Sequence, residues 1–121
     1  MTLDEYGLMK SDRSRATQAR YEKDMENGAT IGLLREPSIV DHDHWRLIVN
    51  RYPYDERWCT SMMLVHKGES RWDDLDDEAV IELHKLKNYY KIPFDKIEEN
   101  GEELASVTNV PHIHLLQGLK K

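Results

Sequence analysis

Near its C-terminal end the chain carries the segment PHIHLL, residues 111–116, in which imidazole and aliphatic side chains alternate. Successive side chains of a β-strand point to opposite faces, so His112 and His114 would share one face, about 6.6 Å apart along the backbone. Ile113 and Leu115 would point the other way, into a hydrophobic core. The pattern therefore predicts a strand with two imidazoles on one face. Such a face suits an active-site wall, and it equally suits two surface histidines on a half-exposed strand.

Two helices are predicted upstream of this strand. Apolar residues at helical spacing, with acidic residues crowding the start, predict a helix over residues 72–91, which Pro93 ends. The stretch 11–27 is polar on nearly all sides, so a helix there would lie on the surface. Ser11 or Ser14 would serve as its N-cap.

Runs of β-branched and aromatic residues predict the strands. They lie at residues 39–40, 45–49 and 60–65, and the segment 104–116 predicts one or two more. We assign no strand to the polar stretch 95–103, which has a turn signal at Asn100-Gly101. The order of helix, strands, helix and strands predicts an α+β fold, an antiparallel sheet of about five strands with two helices on one face.

Length and composition narrow the possible partners. With 121 residues the chain has the length of one domain, which we divide into an N-terminal arm and surface helix at 1–28 and the domain proper at 29–121. The net charge of −6 repels nucleic-acid polymers but leaves small anionic ligands possible. The single cysteine, Cys59, excludes an internal disulfide, and neither a membrane span nor a signal peptide is evident. These features predict a cytoplasmic protein without a membrane partner.

From Ile39 onward the chain resembles the histidine-triad (HIT) superfamily, whose motif is His-apolar-His-apolar-His followed by two apolar residues. Three segments match in order. Residues 43–53 resemble a strand that ends in an acid or amide followed three residues later by proline. Residues 61–67, with Leu75 further on, resemble a hydrophobic strand, a basic residue and a helix entry, and residues 109–116 resemble the histidine strand itself.

The resemblance implies nucleotidyl hydrolase or transferase chemistry on a small-molecule nucleotide conjugate, and a homodimer. A neutral imidazole would attack the α-phosphorus and form a nucleotidyl-histidine, which water or a second acceptor then resolves. By position in the motif, His114 would be the nucleophile and His112 a supporting phosphate ligand. Asn50 would hold the ribose hydroxyls, Asn109 would contact the phosphate or leaving group, and Trp58, on the loop after Asn50, would wall the nucleobase. We predict no cofactor.

A second register of the same motif stays open. His112 would then be the nucleophile, His114 the third member of the triad, and Val110 would replace the first member. The proline at 111 and the amide of Asn109 favour the first register, because both positions match the family pattern there.

The chain departs from the family pattern at the third histidine. Leu116 occupies that position in the first register, and an aliphatic side chain cannot donate to a phosphate oxygen. Gln117 is adjacent, but a neighbouring strand residue faces the other way. Glu69 lies near the expected phosphate site, where a carboxylate would repel the ligand. A non-catalytic relative that binds a nucleotide or a protein is therefore the competing hypothesis.

A metal site is the third hypothesis. His42 and His44 form a second His-x-His pair, and together with His112 and His114 they offer four nitrogen ligands for zinc or another transition metal. An exposed polar turn before Trp45 explains the same residues, and we favour that interpretation, so we predict no metal ligands.

Overall fold

The computed structural model describes residues 13–27, 33–99 and 109–119. In chain order the elements are helix α1 (Arg15–Glu26), strands β1 (Val40–Asp41), β2 (Trp45–Val49) and β3 (Trp58–His66), a 3-10 turn (Trp72–Asp74), helix α2 (Asp77–Tyr90), and strands β4 (Lys96–Glu98) and β5 (His112–Leu119). The strands form one antiparallel sheet in the order β1-β2-β3-β5-β4. The predicted α+β class, an antiparallel sheet of five strands with two helices, is confirmed.

One face of the sheet packs against α2 and forms the larger hydrophobic core. Its buried members come from β2, β3, β5 and α2: Trp45, Leu47, Leu64, Leu83, Leu86, Tyr90, Ile113 and Leu115. Ile113 and Leu115 are fully buried, as the alternation in β5 predicts. Burial of each such side chain contributes roughly 1.5–3 kcal/mol, so this contact holds α2 on the sheet.

The opposite face of the sheet carries a smaller buried cluster. It consists of Leu33, Ile48, Met63, Val65 and Val110. Its strand members, Ile48, Met63 and Val65, alternate along β2 and β3 with members of the larger core, so these two strands are buried on both faces. The sheet therefore separates a helix-covered face from a second face, which carries the site described below.

Helix α2 is shorter than the predicted span of 72–91. A 3-10 turn at Trp72–Asp74 comes first, and Leu75 and Asp76 have extended backbone, with ψ values of 140° and 147°. Asp76 is the N-cap residue and makes no side-chain capping hydrogen bond, so the regular helix begins at Asp77, where the backbone leaves the extended conformation. Asp77 and Glu78 lie in the first turn, where negative charge suits the helix dipole.

Helix α1 begins at Arg15, and Ser14 caps it by accepting a hydrogen bond from the backbone N–H of Thr17 at 3.2 Å. The alternative cap, Ser11, lies outside the described residues. Thr17 Oγ1 donates to a carboxylate oxygen of Asp55 at 2.6 Å, so α1 contacts the β2–β3 loop instead of joining α2 on its face of the sheet. Neither helix of the described ranges is long and apolar enough to cross a membrane.

Strand β4 lies in the polar stretch 95–103, for which the sequence pattern predicts no strand. Its members, Lys96–Glu98, pair with β5 at the edge of the sheet, and only Ile97 packs against the larger core. Edge strands are often short and charged, so this one lacks the alternation by which a strand is recognised. The predicted turn at Asn100-Gly101 and the predicted strand residues 104–108 lie outside the described ranges.

Candidate active site

The two histidines of β5 lie on the face of the sheet opposite α2. His112 pairs across the ladder with Val65, and His114 pairs with Met63, and both partners belong to the smaller cluster. The imidazole centroids are 5.5 Å apart, and the ring planes meet at 80°. Leu116 follows on the same face and is fully buried. Strand alternation thus brings the two imidazoles together, with an aliphatic side chain next in line.

A backbone carbonyl two residues earlier in the chain holds His112 in one tautomer. Its Nδ1 lies 2.8 Å from the carbonyl oxygen of Val110. A carbonyl only accepts, so Nδ1 carries the proton, and in the neutral ring Nε2 keeps its lone pair. Burial lowers the pKa of His112, and the bond to Val110 opposes this only in part. No described residue hydrogen-bonds to Nε2, so His112 presents a neutral imidazole nitrogen that can act as a nucleophile.

His114 is more deeply enclosed. It is 5% exposed, and its Nε2 lies 3.2 Å from the hydroxyl of Tyr54, whose ring packs on the imidazole at 4.7 Å between centroids. Nδ1 is buried and has no hydrogen-bond partner among the described residues. Burial, reinforced by the neighbouring His112 and the positive charge of Arg13, lowers the pKa of His114 to about 3. His114 is therefore neutral at physiological pH.

Tyr54 and Arg13 cover this end of the histidine face. Arg13 stands 5.2 Å above the centre of the Tyr54 ring, and its Nε donates to the carbonyl oxygen of Tyr52 at 2.9 Å. The loop and α1 are joined nearby, because Asp55 accepts a hydrogen bond from the backbone N–H of Ser14 at 2.8 Å. The sequence carries no signal for this cover, since Tyr54 and His114 are 60 residues apart in the chain.

Asn50, predicted to hold a ribose, is buried and engaged within the protein. Its Nδ2 donates to Ser61 Oγ at 3.2 Å, and its Oδ1 accepts from the backbone N–H of Tyr52 at 3.0 Å. The amide therefore shapes the turn that leads into the β2–β3 loop. Its contact with a ribose stays a prediction, and binding would require Asn50 to exchange one of these partners.

The other two predicted ligand contacts lie apart from the imidazole pair. Asn109 is exposed, and its Nδ2 donates to Glu69 Oε1 at 3.4 Å, so the carboxylate that would oppose a phosphate lies next to it. Trp58 is buried and is the first residue of β3 instead of a loop residue, because β3 starts earlier than predicted. The ligand contacts of both residues stay predictions.

The second His-x-His pair lies on the α2 side of the sheet. His42 Nε2 is 2.8 Å from the hydroxyl of Tyr90, and His44 Nδ1 is 3.3 Å from Glu82 Oε2. Since His112 lies on the opposite face with His114, the sheet separates the two pairs, and the four-nitrogen ligand set of the third hypothesis does not form. In the described part of the chain no three His, Cys, Asp or Glu side chains are grouped to hold a metal ion.

Comparison with known proteins supports the fold alone. No protein-family model and no curated protein matches the chain. Among solved structures, a histidine triad protein from Clostridium difficile is similar, with a TM-score of 0.52 and 17% sequence identity over 84% of this chain and 91% of that one. At this identity the likeness bears on architecture, and the histidine motif and its register stay predictions. The chain has a histidine-triad-like α+β fold.

Proposed function

We propose that the protein binds a nucleotide conjugate and acts as a nucleotidyl hydrolase or transferase at its α-phosphate, with His112 as nucleophile and His114 in support. The observation that carries the assignment is the 2.8 Å hydrogen bond from His112 Nδ1 to the Val110 carbonyl, which leaves Nε2 with a lone pair. His114 has Nε2 engaged by Tyr54 and Nδ1 buried. The proposal therefore adopts the second register of the motif and exchanges the roles that the first register predicts.

The chemistry follows from the state of His112. Its Nε2 forms a bond to the α-phosphorus while the bond from phosphorus to the leaving oxygen breaks, and the leaving group departs with the electron pair. The nucleotidyl-imidazolium keeps its Nδ1 proton on the Val110 carbonyl, whose partial negative charge stabilises the new cation. Water or another acceptor then takes the nucleotidyl group and regenerates the imidazole. A covalent intermediate divides one difficult displacement into two easier ones.

His114 supports this step without carrying charge. With a pKa of about 3 it stays neutral through the working range, so it neither repels the cation formed on His112 nor attracts phosphate by charge. Its ring stands 5.5 Å from that of His112 and is fixed by Tyr54, so it restricts the orientation of the nucleophile. His114 is in this sense a positioning residue.

A second candidate function is a non-catalytic nucleotide-binding module. Leu116 favours it, since this fully buried aliphatic side chain continues the histidine face and offers a phosphate no donor. In such a protein His112 would contact the phosphate without forming a bond to it. The predicted homodimer and the predicted cytoplasmic location bear on neither candidate and stay predictions.

Intact-mass spectrometry tests the proposal. The protein is incubated briefly with nucleoside phosphoramidates, dinucleoside polyphosphates and nucleotide sugars and is quenched at mildly alkaline pH. We expect one added nucleotidyl mass on the wild type, its loss in His112→Asn, and a slower but detectable adduct in His114→Asn. His44→Gln, which changes a histidine on the other face, should behave as the wild type.

The alternative outcomes separate the hypotheses. An adduct lost in His114→Asn and retained in His112→Asn would restore the first register. Saturable nucleotide binding without adduct or product on any substrate would favour the binding module. Absence of both binding and turnover would reject nucleotide chemistry for this chain.

A further inference from the structure

We propose that Arg13 is the cationic ligand for a second phosphate group, so that the preferred substrates are conjugates whose leaving group is itself phosphorylated. The nucleotide part of this inference rests on the function proposed above. Arg13 lies two residues before the start of α1, and its guanidinium group packs on the ring of Tyr54, which in turn packs on His114. The inference is supported by the contacts of the guanidinium group, by the absence of a carboxylate partner in the described part of the chain, and by the series of ring contacts that links Arg13 to His112.

The guanidinium group is fixed in orientation. Arg13 Nε donates to the carbonyl oxygen of Tyr52 at 2.9 Å, and the guanidinium carbon lies 4.9 Å and 5.2 Å from the ring centres of Tyr21 and Tyr54. The planar group is thus held by two aromatic contacts and one hydrogen bond. The Nη1 and Nη2 groups form no hydrogen bond within the described ranges, and they provide the donors with which arginine binds phosphate.

The charge of Arg13 has no carboxylate partner in the described part of the chain. Two acidic side chains of α1 and the β2–β3 loop are engaged by other groups: Asp55 accepts from Ser14 and Thr17, and Asp24 accepts from the hydroxyl of Tyr52. Arg13 is half-buried, and its charge lowers the pKa of His114. A fixed, half-buried cation next to neutral imidazoles is a site where an anion gains favourable electrostatic energy.

The position of Arg13 determines which phosphate it meets. Three contacts in succession link His112 to Arg13: the His112 and His114 ring centroids are 5.5 Å apart, the His114 and Tyr54 centroids are 4.7 Å apart, and the Arg13 guanidinium carbon is 5.2 Å from the Tyr54 ring centre. A phosphorus bonded to His112 Nε2 would lie at one end of this series of contacts and Arg13 at the other. A second phosphate in the same ligand extends toward it. Arg13 thus supplies, from another part of the chain, a charged anion ligand that the two neutral imidazoles do not provide.

A matched pair of arginines allows a sharp test. Arg20 lies on α1, stacks on Tyr52 at 5.4 Å and donates to the carbonyl oxygen of Arg51 at 2.6 Å, but it forms no hydrogen bond or ring contact with Tyr54 or His114. Binding of adenosine, AMP, ADP and inorganic pyrophosphate is measured by calorimetry for the wild type, Arg13→Gln, Arg13→Lys and Arg20→Gln.

We expect Arg13→Gln to weaken ADP and pyrophosphate binding at least about tenfold while adenosine affinity changes less than about twofold. Arg13→Lys should recover part of the loss, because it keeps the charge but not the planar fork. Arg20→Gln should match the wild type for every ligand. Unchanged adenosine affinity also shows that the loop and Tyr54 remain in place in the variant.

Each other result overturns a defined part of the argument. Equal weakening of all ligands in Arg13→Gln would mean that Arg13 only holds the loop. Wild-type ADP affinity in that variant would reject the Arg13 inference and leave the proposed function standing. Pyrophosphate binding that depends on Arg13, without binding of any nucleotide, would keep Arg13 as an anion ligand and reject the proposed nucleotide function. A wild type that binds none of the four ligands would reject both.

Discussion

The chain contains two His-x-His pairs, and the tertiary structure treats them differently. His42 and His44 lie beside α2, where a carboxylate of Glu82 accepts hydrogen bonds from the ring and backbone of His44. His112 and His114 lie on the other face of the sheet, and no described carboxylate is within ion-pair distance of either ring. Two pairs with the same spacing therefore have different hydrogen-bond partners. One pair is bonded to the carboxylate of Glu82, whereas the partners of the other pair are neutral groups, the Val110 carbonyl and the Tyr54 hydroxyl.

This difference determines the chemistry available to each pair. The backbone N–H groups of His44 and Trp45 and the His44 ring stabilise the Glu82 carboxylate, and together they outweigh burial and lower its pKa. Burial has the opposite consequence for the second pair, because it lowers the pKa of His112 and His114 and keeps both neutral. The first pair is hydrogen-bonded to side chains of α2, whereas Nε2 of His112 in the second pair has no hydrogen-bond partner within the described ranges.

The largest effect we predict is acid destabilisation through His114. Its folded pKa of about 3 lies below the unfolded value of about 6.5, so as the pH falls the unfolded chain takes up the proton first. The contribution is fully present above about pH 6.5 and is lost progressively toward pH 3, amounting to roughly 4–5 kcal/mol over that window.

Urea unfolding at a series of pH values measures this effect. His114→Gln should remove this part of the pH dependence, whereas His44→Gln should retain it above about pH 4.5, where Glu82 is still ionised. An unchanged slope in His114→Gln would mean that His114 titrates normally and that the contrast between the two pairs is wrong.

A smaller effect is expected at the acidic partner of the first pair. Glu82→Ala should lower the free energy of unfolding by about 2–3 kcal/mol, because two backbone N–H groups and the His44 ring lose a charged acceptor. Glu78 is the control, since it lies 3.7 Å from His44 Nε2 with its side chain 85% exposed. Glu78→Ala should leave unfolding unchanged. Equal losses of unfolding free energy in Glu82→Ala and Glu78→Ala would show that the hydrogen bonds accepted by Glu82 do not contribute to stability.

The smallest effect compares two tyrosines, each hydrogen-bonded to one histidine. Tyr54→Phe leaves a second nitrogen of buried His114 without a partner and should lower the free energy of unfolding by about 1–3 kcal/mol. Tyr90→Phe frees a nitrogen of half-exposed His42, which water can reach, and should lower it by less than about 1 kcal/mol. Thermal unfolding of the two variants measures the difference, and a larger loss in Tyr90→Phe would contradict the burial argument.

Much of the fold follows from local sequence patterns. Strand β2 coincides with the predicted strand 45–49, β1 and β5 overlap the predicted segments 39–40 and 104–116, and Pro93 follows the end of α2 as predicted. Strand β4 is invisible to such patterns, because Lys96–Glu98 holds one apolar residue and is a strand only through its pairing with β5. The start of α2 is a second difference, since helical spacing alone predicts the helix from residue 72, whereas a 3-10 turn and two extended residues precede the regular helix at Asp77.

Strand alternation is a local property of the backbone, so the residues of 111–116 alone predict that His112 and His114 share one face of a strand, with Ile113 and Leu115 buried on the other. Which imidazole nitrogen lacks a hydrogen-bond partner among the described residues depends instead on tertiary contacts. Tyr54 arrives from the β2–β3 loop to cover His114, and Arg13 arrives from before α1 to cover Tyr54. Such contacts depend on how distant segments pack, and residue spacing along one strand carries no information about them.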